Sequence, residues 1–76
     1  MKLYLLTSVD TLGQATYDVA KGFVVRASNS REARILAAKD CGDEGPDVWT
    51  DAARSTCRQL KAEGASKVIL RDFQSA

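Results

Sequence analysis

Residues 22–27, Gly-Phe-Val-Val-Arg-Ala, run without a break into Ser-Asn-Ser-Arg-Glu, and this junction constrains the fold most. The first segment is rich in β-branched and aromatic residues, the composition of a strand. Its period of two puts Phe23, Val25 and Ala27 on one face and Val24 and Arg26 on the other. The second segment opens a helix. Asn29 and Glu32 have capping-box spacing, with Ser28 and Ser30 as alternative caps. The spacing predicts a helix to about Asp40, with Ala33, Leu36 and Ala37 as its inner stripe and Ile35 on the flank. Gly42 is placed to terminate it.

The rest of the chain arranges itself around that strand and helix. Residues 3–7 form a short apolar run with one aromatic, the profile of a strand buried on both faces. Residues 8–14 read as a polar loop, and residues 41–46, with Gly42, Gly45 and Pro46, as another. Residues 48–62 admit two readings. As one helix, they align Trp49, Ala53, Cys57 and Leu60 on a single face. Alternatively a short helical turn ends near Ala53, and residues 55–60 form a strand. Local periodicity favours the helix. Residues 67–73, Lys-Val-Ile-Leu-Arg-Asp-Phe, read as a final strand after a turn at residues 63–66.

With 76 residues the chain holds one domain, 1–76, and a thin core. A core of that size leans on an oligomer interface or a bound ligand. There is no histidine, which removes Ser-His-Asp and Cys-His catalysis and imidazole metal ligation. Neither a Walker motif nor a nucleophile elbow is present. The sequence therefore points to binding rather than to an enzyme, with no cofactor.

A net charge of +1 conceals segregation. Residues 1–39 carry +3, residues 40–51 carry five acids and no base, and residues 52–76 carry +3. This is not the basic excess of a general nucleic-acid binder. It leaves room for a focused pocket for one small anion. The acidic run fails the spacing of a calcium loop and reads as a solvated loop, so no metal site is expected. The start of the chain is too short in apolar run for a signal peptide or a spanning helix, which suggests a cytosolic protein. Cys41 and Cys57 then read as free thiols and small core residues.

Eight residues are candidates for ligand binding. Tyr17 and Asp18 precede the second strand, where a ring and a carboxylate could hold a base and a ribose hydroxyl, or edge the core and close a turn. Arg26, Arg34, Arg54 and Arg71 offer planar guanidinium forks suited to phosphate oxygens, or surface ion pairs such as Arg26 with Asp72. Trp49 is either a stacking platform or an anchor in the core or at a dimer interface. The Thr56 hydroxyl could contact phosphate or pair across strands.

Taken together, the fragments KLYLL (residues 2–6), YD (17–18), FVVRA (23–27), EAR (32–34), GDEG (42–45), Trp49, STC (55–57) and VILRDF (68–73) resemble a group of short accessory proteins of tailed bacteriophages. The resemblance spans nearly the whole chain and carries no catalytic signature. It implies an α+β fold, a small antiparallel sheet in the order β-β-α-β-β covered by one helix, and it tips residues 55–60 towards the strand. It also implies a protein of the host bacterial cytoplasm that counteracts a host process, immunity above all, by stoichiometric binding. The expected ligand is a small anionic, nucleotide-like molecule held between the subunits of a homodimer. The alternative is an inhibitor or decoy that docks its acidic loop on a host protein.

Overall fold

The computed structural model describes residues 1–9 and 18–71. Three strands, β1 (Lys2–Ser8), β2 (Gly22–Ala27) and β3 (Ser55–Leu60), form one antiparallel sheet in the order β2-β1-β3. Between β2 and β3 come the helix α1 (Ser30–Lys39) and a single turn of helix, α2 (Asp47–Thr50). Because β2 and β3 both run antiparallel to β1, they are parallel to each other, with β1 inserted between them. The α1–α2 segment is thus the crossover of a split β-α-β unit. This is the small antiparallel α+β fold expected from the sequence.

Register assigns the two faces. Leu3, Leu5 and Thr7 of β1 stand opposite Arg26, Val24 and Gly22 of β2, and opposite Leu60, Arg58 and Thr56 of β3. Directly opposed residues share a face, so these nine form the outer face. The inner face carries Tyr4 and Leu6, with Phe23, Val25 and Ala27 as the alternation predicted. Against it pack Ala33 and Ala37 of α1 and Val48 and Trp49 of α2, all essentially inaccessible.

The helix start follows the sequence. The Asn29 side chain accepts from the Glu32 amide at 2.8 Å, and the Glu32 carboxylate accepts in turn from the Ser28 amide at 2.8 Å. Its buried stripe does not. Leu36 and Ile35 are exposed, and Ala33 and Ala37 are the buried pair, flanked by half-buried Arg34 and Ala38. The helix is turned so that Arg34 reaches across to α2 and β3, and small alanines let its backbone approach the sheet closely.

Two further outcomes separate local pattern from tertiary context. Residues 55–60 are a strand, because the free edge of β1 pairs them along their whole length and outweighs the helical stripe. Residues 67–71 are not a strand, so the fourth strand expected over residues 67–73 is not formed there; Asp72 and Phe73 lie outside the described residues. This segment crosses the outer face instead of joining an edge. The Arg58 guanidinium donates to the Ile69 carbonyl at 3.3 Å, tying it to β3, and Leu5 beneath is only 6% exposed.

Candidate functional site

Two polar networks hold the helical layer to the sheet, and both consume residues that the sequence offers for ligand binding. Trp49 sits at the centre of the core, its ring edge-on to Phe23 with centroids 4.9 Å apart. Its indole N–H donates to Glu44 Oε2 at 2.6 Å, while Glu44 Oε1 accepts from the Ala20 and Gly42 amides at 3.0 and 2.9 Å. Burial pushes this carboxyl up, but the bonds from Trp49, Ala20, its own amide and Gly42 prevail and hold it below its ordinary value. Trp49 is therefore an anchor. With the ring fully buried, no base can stack on it.

Arg34 closes the second network. Its guanidinium donates to the Trp49 carbonyl at 3.0 Å, to Ser55 Oγ at 2.8 Å and to the Ser55 carbonyl at 3.0 Å. Those bonds fix the last turn of α2 and the first residue of β3 to α1. Half-buried and with three of its five N–H groups spent on these bonds, Arg34 too is a structural residue.

The other candidates are spread over the surface. Asp18 is exposed, with φ of 61° in the left-handed region that aspartate tolerates in turns. Its carbonyl accepts from the Asp43 amide at 2.8 Å, so its backbone docks the acidic loop against the approach to β2. Arg26 is exposed on the outer face beside Leu3. Thr56 lies at the far end of that face, and its hydroxyl donates to the Thr7 carbonyl at 3.4 Å, the cross-strand option. Arg54 is half-buried in the turn before β3, where its backbone bonds Val9 and Asp51. Tyr17 lies outside the described residues. The structure thus does not gather Arg26, Arg34, Arg54 and Arg71 around one ring.

Arg71 is the exception, because it lines a cavity of about 700 Å³ on the outer face. The floor and walls are Leu5, Val24 and Leu70, with Thr7, Lys21 and Arg71 among the polar residues around them. The cavity opens where the strap formed by residues 61–71 crosses the junction of β1 and β2. Among the described residues that line it there are two cations and no acid. Its size is in the range of small-molecule sites, roughly 300–1,000 Å³.

Sequence reasoning overlooked Lys21, Leu5, Val24 and Leu70 as site residues. The signal was present in residues 3–7: a strand that reads as buried on both faces needs a cover on the second face, and the cover bounds the cavity.

Of the five acids in residues 40–51, Asp40, Asp43, Asp47 and Asp51 are exposed while Glu44 is turned inward. Among the described residues no group of carboxylates and thiols could hold a metal ion. Cys57 is half-buried and its thiol is pushed up by burial, with Arg34 pulling the other way, so it is protonated at neutral pH. No helix among the described residues is long and apolar enough to cross a membrane.

The fold and cavity define a small split-sheet α+β protein with a concave site on its outer face. Compared with protein-family models, with curated proteins and with solved structures, the chain matches none.

Proposed function

We propose that the chain is a stoichiometric binding protein that takes a small organic anion into the outer-face cavity. The observation that carries this reading is the cavity itself: largely apolar, of ligand size, with Lys21 and Arg71 among its walls and no acid among the described lining residues. The resemblance to tailed-phage accessory proteins supplies the context, a protein that blunts a host bacterial process, immunity first, by removing a small anionic signal in the host cytoplasm. In the nucleotide version of the reading Arg71 and Lys21 hold phosphate, without Trp49 or Arg34. A homodimer that shares the cavity fits the thin core.

Titration calorimetry against cyclic and linear nucleotides and simple organic phosphates tests the reading. One ligand bound per chain or per dimer, weakened at least tenfold in Lys21→Glu and Arg71→Glu, is the expected result. Silence across the panel would sink it.

A second reading rests on the acidic loop. Asp40, Asp43 and Asp47 face solvent on a segment pinned by Glu44 and by the Asp43–Asp18 backbone bond, a preorganised anionic surface suited to a basic host protein. Charge reversal at Asp40 and Asp43 should abolish capture of such a partner from host lysate. Glu44 is unsuitable for that test, since its loss would unfasten the loop.

A further inference from the structure

The hydrogen bonds around β1 fix which way the backbone groups of the sheet point. The Ser8 amide donates to the Lys21 carbonyl at 3.2 Å, and the Val9 amide donates to the Arg54 carbonyl at 3.0 Å. In an antiparallel ladder, bonded pairs alternate with unbonded ones. In register with these two bonds, the even-numbered residues of β1 bond β2 and the odd-numbered ones bond β3. Phe23, Val25 and Ala27 therefore spend their main-chain groups on β1. Those of Gly22, Val24 and Arg26 point along the free edge of β2, and no backbone bond among the described residues reaches them.

The opposite edge of the sheet is better guarded. Its outward groups belong to Ser55, Cys57 and Gln59, and Ser55 is already engaged. The Ser55 amide donates to the Asp51 carbonyl at 3.2 Å, and its carbonyl accepts from Arg34 at 3.0 Å. β2 has no such cover. It runs in unbroken register without proline, bulge or acid, and Val24 in its middle is 58% exposed. An edge of that kind is a template for another strand.

β2 is also complementary to itself. Two copies set antiparallel about a two-fold axis at Val24 oppose Val24 to Val24 and Gly22 to Arg26. Each outward residue then meets an outward residue, and no like charges are opposed. A slip by one pair leaves Gly22 or Arg26 with no strand residue opposite. With the axis normal to the sheet, inner face continues into inner face, and half-buried Phe23 stands opposite half-buried Val25.

We infer that two copies of the chain join through the free edges of β2, centred on Val24, so that the Arg26 of each lies beside the outer cavity of the other. Gly22 lines that cavity and carries no side chain, whereas Arg26 is absent from the lining of its own cavity. Across the pair, Arg26 stands opposite the second copy's Gly22 on the outer face and brings a guanidinium to the site. The role of Arg26 rests on the cavity being the ligand site proposed above; the pairing does not.

Sedimentation velocity of the full chain over a concentration series should show a monomer–dimer equilibrium. Val24→Lys sets like charges opposite each other at the axis and should weaken dimerisation by roughly tenfold or more. Circular dichroism checks that this variant folds, and added salt should restore part of the loss. Gln59→Lys, the same charge on an outward residue of β3, should leave the equilibrium unchanged. Oxidation reads the register: Val24→Cys should cross-link to its own copy and Arg26→Cys should not, with the parent chain as the control for Cys41 and Cys57. A chain monomeric throughout the series, a dimer broken by Gln59→Lys rather than Val24→Lys, or a cross-link at Arg26→Cys but not at Val24→Cys would overturn the pairing.

Arg26→Ala should dimerise as the parent does and bind the nucleotides and organic phosphates of the titration above about tenfold more weakly. Equal binding by the two chains would overturn the place of Arg26 at the cavity. Silence of the parent across the panel would overturn the cavity reading instead, while sedimentation and cross-linking decide the pairing on their own.

Discussion

At the scale of single residues the molecule depends on a few polar atoms placed where apolar packing alone would leave the layers loose. Glu44 is the clearest. Its folded carboxyl lies below the ordinary value of 4.5, so the unfolded chain binds a proton first as the pH falls. The stability it contributes is complete above that value and is lost as the pH drops through the folded value. Glu44→Gln should cost about 1–3 kcal/mol at neutral pH. The two urea-unfolding curves, measured as a function of pH, should converge on acidification below 4.5. Arg34→Lys should cost a similar amount, about 1–3 kcal/mol in the same assay, because an ammonium cannot reproduce three bonds in a fixed fork. Gly42 makes the same point through the backbone. A Cβ there would run into the Asp18 carbonyl, and a main-chain oxygen cannot rotate away. Gly42→Ala should destabilise by about 1–3 kcal/mol and shift the near-ultraviolet signal of Trp49.

Among the elements, what could be read in advance was what local chemistry decides. The Asn29 cap, the face of β2 and the loop at residues 41–46 follow from turn residues and alternation, and the structure has them. The rest was settled by partners distant in sequence. Residues 55–60 carry a helical stripe yet pair with β1, and residues 67–71 carry strand composition yet lie across a face. The inward turn of α1 depends on Arg34 finding Ser55, a contact 21 residues away. The same distance hid the site, because Leu5, Lys21 and Leu70 acquire a shared role only when three segments meet. Pairing also sets an order of protection. Amides of β1, bonded on both sides, should exchange slowest with deuterium, and those of residues 61–71 fastest, as peptide-resolved hydrogen exchange would show. Addition of a cavity ligand should slow residues 67–71 first.

For the whole molecule, segregated charge becomes shape. The acidic loop belongs to the helical layer, whereas Arg26, Arg58 and Lys21 line or flank the outer face, so a chain of net charge +1 presents two unlike surfaces. A small core gains proportionately from anything that binds only the folded state. Ligand at a hundred times its Kd should add about 2.7 kcal/mol, and for a domain of this size each kcal/mol raises Tm by about 4–8 °C. A rise well above 10 °C by scanning fluorimetry is therefore expected for a true ligand.

The position of β1 between two strands that arrive at different times also sets an order of assembly. The contact of Thr7 with Thr56 bridges 49 residues, whereas its pairing with Gly22 bridges less than a third of that. Closing the longer loop costs about 1 kcal/mol more in chain entropy, so β1 and β2 zip first and β3 docks late. Substitutions in β3 should then hasten unfolding more than they slow folding. The strap that roofs the cavity is tethered to β3, so the pocket is finished by the last part of the chain to find its place. A chain caught before that step would have its floor and no roof.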